Sequence, residues 1–138
     1  VVQGAAGTTK RILVRVLGPT LGAAPFSMSG VLNDPFMELR DARGALLVAN
    51  DDWSSGTTLG SASPTNDFSP QVILYSEKQI AATGFAPRNR REPCVMLDLP
   101  PGNYSVIVKP FELRDPDPKL DQPAEPGVGI VEVYEIVR

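Results

Sequence analysis

Histidine is absent from this 138-residue chain, and cysteine and tryptophan occur once each. Each gap removes a class of chemistry. Without histidine there is no serine–histidine or cysteine–histidine nucleophilic centre, no imidazole zinc site and no side chain that titrates unperturbed near neutral pH. A lone cysteine, Cys94, has no internal disulfide partner; it alternates with Val95 and Leu97 in an apolar run and reads as a thiol on a core strand. No apolar stretch approaches the length that crosses a bilayer, so no membrane insertion is expected. Positive charge is also short, with 13 Lys and Arg against 16 Asp and Glu. A phosphate backbone needs a denser basic surface, so nucleic acid is not expected as a partner, and Arg88, Arg90 and Arg91 read as a solvated loop.

Chain-breaking residues, by contrast, are plentiful. Twelve glycines and fourteen prolines leave little room for long helices and suit short strands joined by turns. Lys10 to Leu17 places Ile12, Val14 and Val16 on one face with Arg11 and Arg15 on the other, the pattern of a half-buried strand ended by Gly18-Pro19. Residues 19–35 read as a long surface connection. Strands at about 36–41 and 45–50 flank Asp41-Ala42-Arg43-Gly44, where Gly44 supplies the left-handed conformation of a tight hairpin. Residues 71–82 form the one candidate helix, with apolar spacing mixed enough that part of it could be extended. Further strands are expected at about 93–99, 103–110 and 127–137. The last carries apolar residues on both faces and so reads as central or sandwiched. The fold class that follows is an all-β, antiparallel β-sandwich of jelly-roll type with one short helix at most, in a single domain spanning 1–138.

Two segments lack any core-forming pattern. Residues 54–69 are small and polar and read as an exposed Ser/Thr-rich loop. Residues 110–126 hold five prolines and five acidic residues and read as a stiff, extended, acidic excursion. Pro116 and Pro118 within it are candidate contact residues.

The candidate sites are few. Asn33-Asp34 precedes the first hairpin and Asn50-Asp51-Asp52 leaves it, so oxygen-rich segments should emerge at one end of the sandwich. Asp34, Asp51 and Asp52 have the ligand chemistry of calcium, although their spacing is not that of an EF-hand; turn formation through their own backbone is the competing role. Trp53 either stacks on a sugar or partner or covers the end of the core. Glu38 with Asp51 or Asp52 is a pairing of the kind that hydrolyses glycosides, but any acidic chain offers such pairs; the chain is not expected to be an enzyme. Asn103-Tyr104-Ser105 is formally an N-glycosylation triplet. Val1-Val2 reads as part of a strand, and the opening Val1-Val2-Gln3-Gly4 as that of a processed product or an excised piece.

Six stretches together carry a resemblance: Lys10–Leu21 (KRILVRVLGPTL), Leu32–Arg43 (LNDPFMELRDAR), Leu47–Trp53 (LVANDDW), Ile80–Pro87 (IAATGFAP), Leu97–Val108 (LDLPPGNYSVIV) and Gly127–Val137 (GVGIVEVYEIV). In content and order they resemble a repeated β-sandwich module of large secreted bacterial surface proteins, and more distantly the jelly-roll domains appended to secreted bacterial peptidases. The resemblance implies an extracellular, cell-surface, non-catalytic module with no set of active residues. The two long segments depart from the pattern, and a strand that the family places just before the equivalent of Val1-Val2 is expected to be absent or truncated. Such an incomplete edge invites another chain's strand. The expected partners are therefore a second copy, giving an oligomer or fibre, or a larger surface protein. A calcium-assisted carbohydrate-binding module is the alternative.

Overall fold

A computed structural model describes residues 1–55, 57–60, 73–112, 117, 119 and 123–137. In chain order the elements are β1 (Lys10–Leu17), α1 (Pro19–Gly22), β2 (Pro35–Arg40), β3 (Leu46–Asn50), β4 (Thr57–Leu59), β5 (Ile73–Leu74), α2 (Glu77–Ala82), β6 (Cys94–Leu99), β7 (Ser105–Pro110) and β8 (Ile130–Glu135). They form two four-stranded antiparallel sheets, β5-β6-β1-β8 and β4-β3-β2-β7. This is the expected all-β sandwich, with the single-turn α1 added to the one helix foreseen.

The period-two alternation builds the space between the sheets. Ile12, Val14 and Val16 from β1 meet Val95, Leu97 and Leu99 from β6 and Met37, Leu39 and Val48 from the second sheet, all buried. A second cluster lies on the outer face of the first sheet. There Leu13, Cys94 and Met96 are covered by Ile80 of α2 and by Trp53, Tyr75, Phe85 and Tyr134. Strands β1 and β6 are therefore buried on both faces, as the near-continuous apolar run of β6 requires. A capping box at Ser76 and Gln79 starts α2, which ends after six residues.

The hairpin between β2 and β3 forms as its residues dictate. Gly44 takes φ +81°, and the Asp41 carboxylate accepts the backbone N–H groups of Arg43 and Ala45 at 2.8 and 2.9 Å.

Three expectations are corrected. The loop expected at 54–69 contains a strand, β4, which pairs with β3 through Asn50↔Thr57 and Val48↔Leu59; residues 61–70 lie outside the described residues. Within 73–82, Ile73–Leu74 is a strand on β6 and only Glu77–Ala82 is helical, because Tyr75 N–H is drawn to the Met96 carbonyl and extends the pairing. The last strand is not central. Among the described residues β8 pairs with β1 alone and forms a sheet edge.

Candidate functional site

Two places on the sandwich bring candidate residues together. The first is the acidic corner beyond the ends of β2 and β3. Asp34 immediately precedes β2, Asp51 and Asp52 immediately follow β3, and antiparallel pairing of Met37 with Asn50 returns both to one end. One oxygen from each carboxylate lies within 4.8 Å of the other two. Oxygens sharing a calcium ion sit no more than about 5 Å apart, twice a bond of 2.3–2.6 Å, so the spacing suits a divalent cation. Asp51 Oδ1 is buried and has no hydrogen-bond partner among the described residues. Burial, and then the charges of Asp52 and Asp34, push the Asp51 carboxyl up to about 6, against the counteracting Arg91. Asp34 is raised for the same leading reason, loss of solvent, again opposed by Arg91.

Asn50 holds this corner in shape, a role that its neighbours in sequence do not reveal. It is fully buried. Its amide donates to the Asp52 carbonyl at 3.0 Å and to Thr57 Oγ1 at 2.8 Å, while its carbonyl accepts the Cys94 N–H at 2.8 Å across 44 residues of chain. Trp53 is partly buried and packs on the second cluster, on the outer face of the first sheet. Its Nε1 finds no partner among the described residues.

Glu38 is placed against acid catalysis. Arg40 and Lys109 occupy its two carboxylate oxygens at 2.8–3.0 Å, and those hydrogen bonds hold its pKa below the usual value. A proton donor to a glycosidic oxygen needs the opposite shift.

The second place is the seam between the two sheets on the side of β7 and β8. Both strands are edges, β7 beside β2 and β8 beside β1. Val106 and Val108 are half-buried and pack on the core from one side, while Val131 and Val133 of β8 remain 43% and 59% exposed. A 340 Å³ cleft opens between the sheets here, floored by Ile12, Val14 and Leu39 and flanked by Val106 and Val133. A 270 Å³ hollow continues along the seam between Val108 and Val131.

Both ends of the seam are closed by backbone. At one end Val2 and Gly102 exchange two hydrogen bonds as an antiparallel bridge. At the other, Val31 bridges Val128, with Leu32 N–H to Val128 O and Val128 N–H to Gly30 O, both at 2.8 Å. Gly127 permits that crossing, since a Cβ there would lie 2.4 Å from the Val31 carbonyl oxygen. Of the candidate contact residues, Val1 and Val2 sit at the mouth of the seam. Pro116 and Pro118 lie outside the described residues.

Compared with known proteins, the chain matches no family model, no curated protein and no solved structure.

Proposed function

We propose that this chain is a non-catalytic structural and interaction module of an extracellular bacterial surface protein, one that associates through its uncovered sheet edges and assembles into a fibre. The observation that carries this reading is the open β7–β8 seam. Among the described residues no strand lies beyond the outer edges of β7 and β8, which run beside solvent-exposed valines, and an uncovered edge is a template for another strand. The six sequence stretches that resemble secreted surface modules support the extracellular setting. Electron microscopy of the protein as isolated from its source tests it. Regular filaments, or the chain embedded in a larger surface assembly, are the expected result; dispersed single particles at every concentration would overturn the assembly reading.

A second reading is favoured by one observation, the convergence of Asp34, Asp51 and Asp52 around the unpartnered Asp51 oxygen. In it, calcium stiffens this corner and the neighbouring surface binds carbohydrate. Calorimetric titration with calcium, followed by a glycan array, tests it. Heat of binding that disappears in the Asp51→Asn variant supports the cation, and silence in both experiments removes the reading.

A further inference from the structure

We infer that a cleft on the outer face of the first sheet, between the turn after α1 and the loop after α2, binds a short acidic oligosaccharide whose sugar rings carry carboxylates. This goes beyond the assembly and calcium readings and rests on neither. The cleft is lined by none of the seam valines and by none of Asp34, Asp51 and Asp52.

Its floor follows from strand alternation. Leu13 packs into the outer cluster, so Arg15 and Leu17, at every second residue of β1, present the same face. Glu132 of β8 lies opposite Arg15 in the antiparallel register, and the two form an ion pair. Arg15 is fully engaged within the protein: besides Glu132 it donates to the Phe85 carbonyl at 2.7 Å and to the Tyr134 hydroxyl at 3.4 Å. Arg15 bonds only Oε2 of Glu132. Oε1 accepts nothing among the described residues and is left for a ligand hydroxyl.

Two loops raise the walls. After α1 the chain turns at Ala23, whose carbonyl accepts the N–H groups of Phe26 and Ser27, each at 3.0 Å, and Met28 N–H returns to Leu21 O at 2.9 Å. That closed turn holds Phe26 out of the core, 58% exposed, at the edge of the cleft. Residues 84–89 form the other wall. Asn89 Oδ1 accepts Arg91 N–H at 3.0 Å and Asn89 O accepts Glu92 N–H at 3.2 Å, which fixes the amide and leaves its NH2 group to donate. Arg88 beside it is exposed, and no hydrogen bond or ion pair engages it among the described residues.

The cleft measures 610 Å³, inside the roughly 300–1,000 Å³ of small-molecule sites. Its chemistry selects the ligand. An exposed phenyl ring beside fixed polar groups suits a pyranose, which has an apolar C–H face and a rim of hydroxyls. Glu132 accepts from those hydroxyls and Asn89 donates to them. Charge decides between neutral and acidic sugars. Arg15 and Glu132 cancel, so Arg88 leaves the cleft positive in a chain of net charge −3. A guanidinium grips a carboxylate through two parallel hydrogen bonds.

The test is calorimetric titration of the full chain, dilute and in EDTA, with trimers of galacturonate, mannuronate and guluronate, and with galactotriose as the neutral control. Saturable binding is expected for at least one uronate, about tenfold or more tighter than for galactotriose and weakening as salt is added. Phe26→Ala and, independently, Arg88→Gln should each weaken it by about tenfold or more. Both side chains are exposed, and thermal melting verifies the fold. Phe26→Tyr keeps the ring and should keep the affinity, whereas Arg88→Lys keeps the charge without the fork and should recover only part. Lys78→Gln removes a positive charge away from the cleft and should change nothing.

No saturable binding of any of these uronates overturns the inference. So does binding that survives both Phe26→Ala and Arg88→Gln, or that falls equally in Lys78→Gln, which would be a diffuse attraction. Galactotriose bound as tightly as the uronates would overturn the acidic class. The proposed function fails separately, because the titration involves neither assembly nor calcium. Filaments without uronate binding would remove only the cleft, whereas uronate binding by a chain that is always dispersed would remove only the fibre.

Discussion

Val2 N–H donates to the Gly102 carbonyl at 2.8 Å and Gly102 N–H returns the bond at 2.9 Å, joining two points a hundred residues apart at the mouth of the seam. Val2→Pro removes one donor from that pair. The expected cost is about 1 kcal/mol of folding stability, read by urea denaturation, with faster amide exchange at Gly102. An unchanged midpoint and unchanged exchange would mean that the bridge does not hold the first residues in place.

Glu92 joins the start of α1 to the loop before β6. It is fully buried and accepts from Gly18 N–H at 3.0 Å and from Thr20 N–H and Oγ1 at 2.7 Å each. Glu92→Ala leaves those donors unsatisfied, and a loss of about 3 kcal/mol is expected. Thermal or chemical unfolding measures it, and a loss below about 1 kcal/mol would contradict the burial argument.

The acidic corner predicts a specific pH dependence. Asp51 has a folded pKa near 6 against an ordinary 3.8, so the folded state binds its proton more tightly than the unfolded state. Its contribution to stability is complete below 3.8 and is lost as pH rises through about 6. Unfolding measured from pH 4 to 7 without divalent cations should show this loss in the native chain and not in Asp51→Asn. If calcium binds the ionised cluster, adding it restores stability at pH 7 to the native chain alone. Identical pH profiles for the two proteins would contradict the assignment.

Cys94 should be chemically silent in the folded protein. It is buried, and burial pushes its thiol up to about 12, which leaves almost no thiolate at neutral pH. An aromatic disulfide reagent should label it only under denaturing conditions. Labelling of the native protein within minutes would show that the second cluster opens readily.

Much of the sandwich was legible from local pattern. β1 follows as a strand from Ile12, Val14 and Val16 at every second residue, although Leu13 buries its other face as well where a half-buried strand was expected; the β2–β3 hairpin follows from the alternation of β2 and from Gly44, whose positive φ the turn uses. The convergence of Asp34 with Asp51 and Asp52 followed from the hairpin alone, because antiparallel strands return their flanking residues to one end. What was not legible depends on distant partners. Asn50 and Glu92 look like ordinary surface residues until Cys94 N–H and the Gly18–Thr20 turn, 44 and more than 70 residues away, come to meet them. The edge position of β8 is hidden in the sequence for a related reason. Its two apolar faces are real, but Tyr134 packs against Phe85 on one side while Val131 and Val133 line an open seam on the other. β4 leaves no pattern in the sequence because Thr57–Leu59 has only three residues and no buried face.

The most direct test of the open seam is residue-resolved amide exchange by NMR on dilute, monomeric protein. Phe111 N–H donates to Asp34 O on the β2 side, and the alternation of an antiparallel strand turns Ile107 and Lys109 towards β2 and Val106 and Val108 towards the edge that no described strand covers. The account predicts alternation along β7, with slow exchange at Ile107 and Lys109 and fast exchange at Val106 and Val108. Uniform slow exchange through β7 in the monomer would show that the edge is already covered, and would contradict the account.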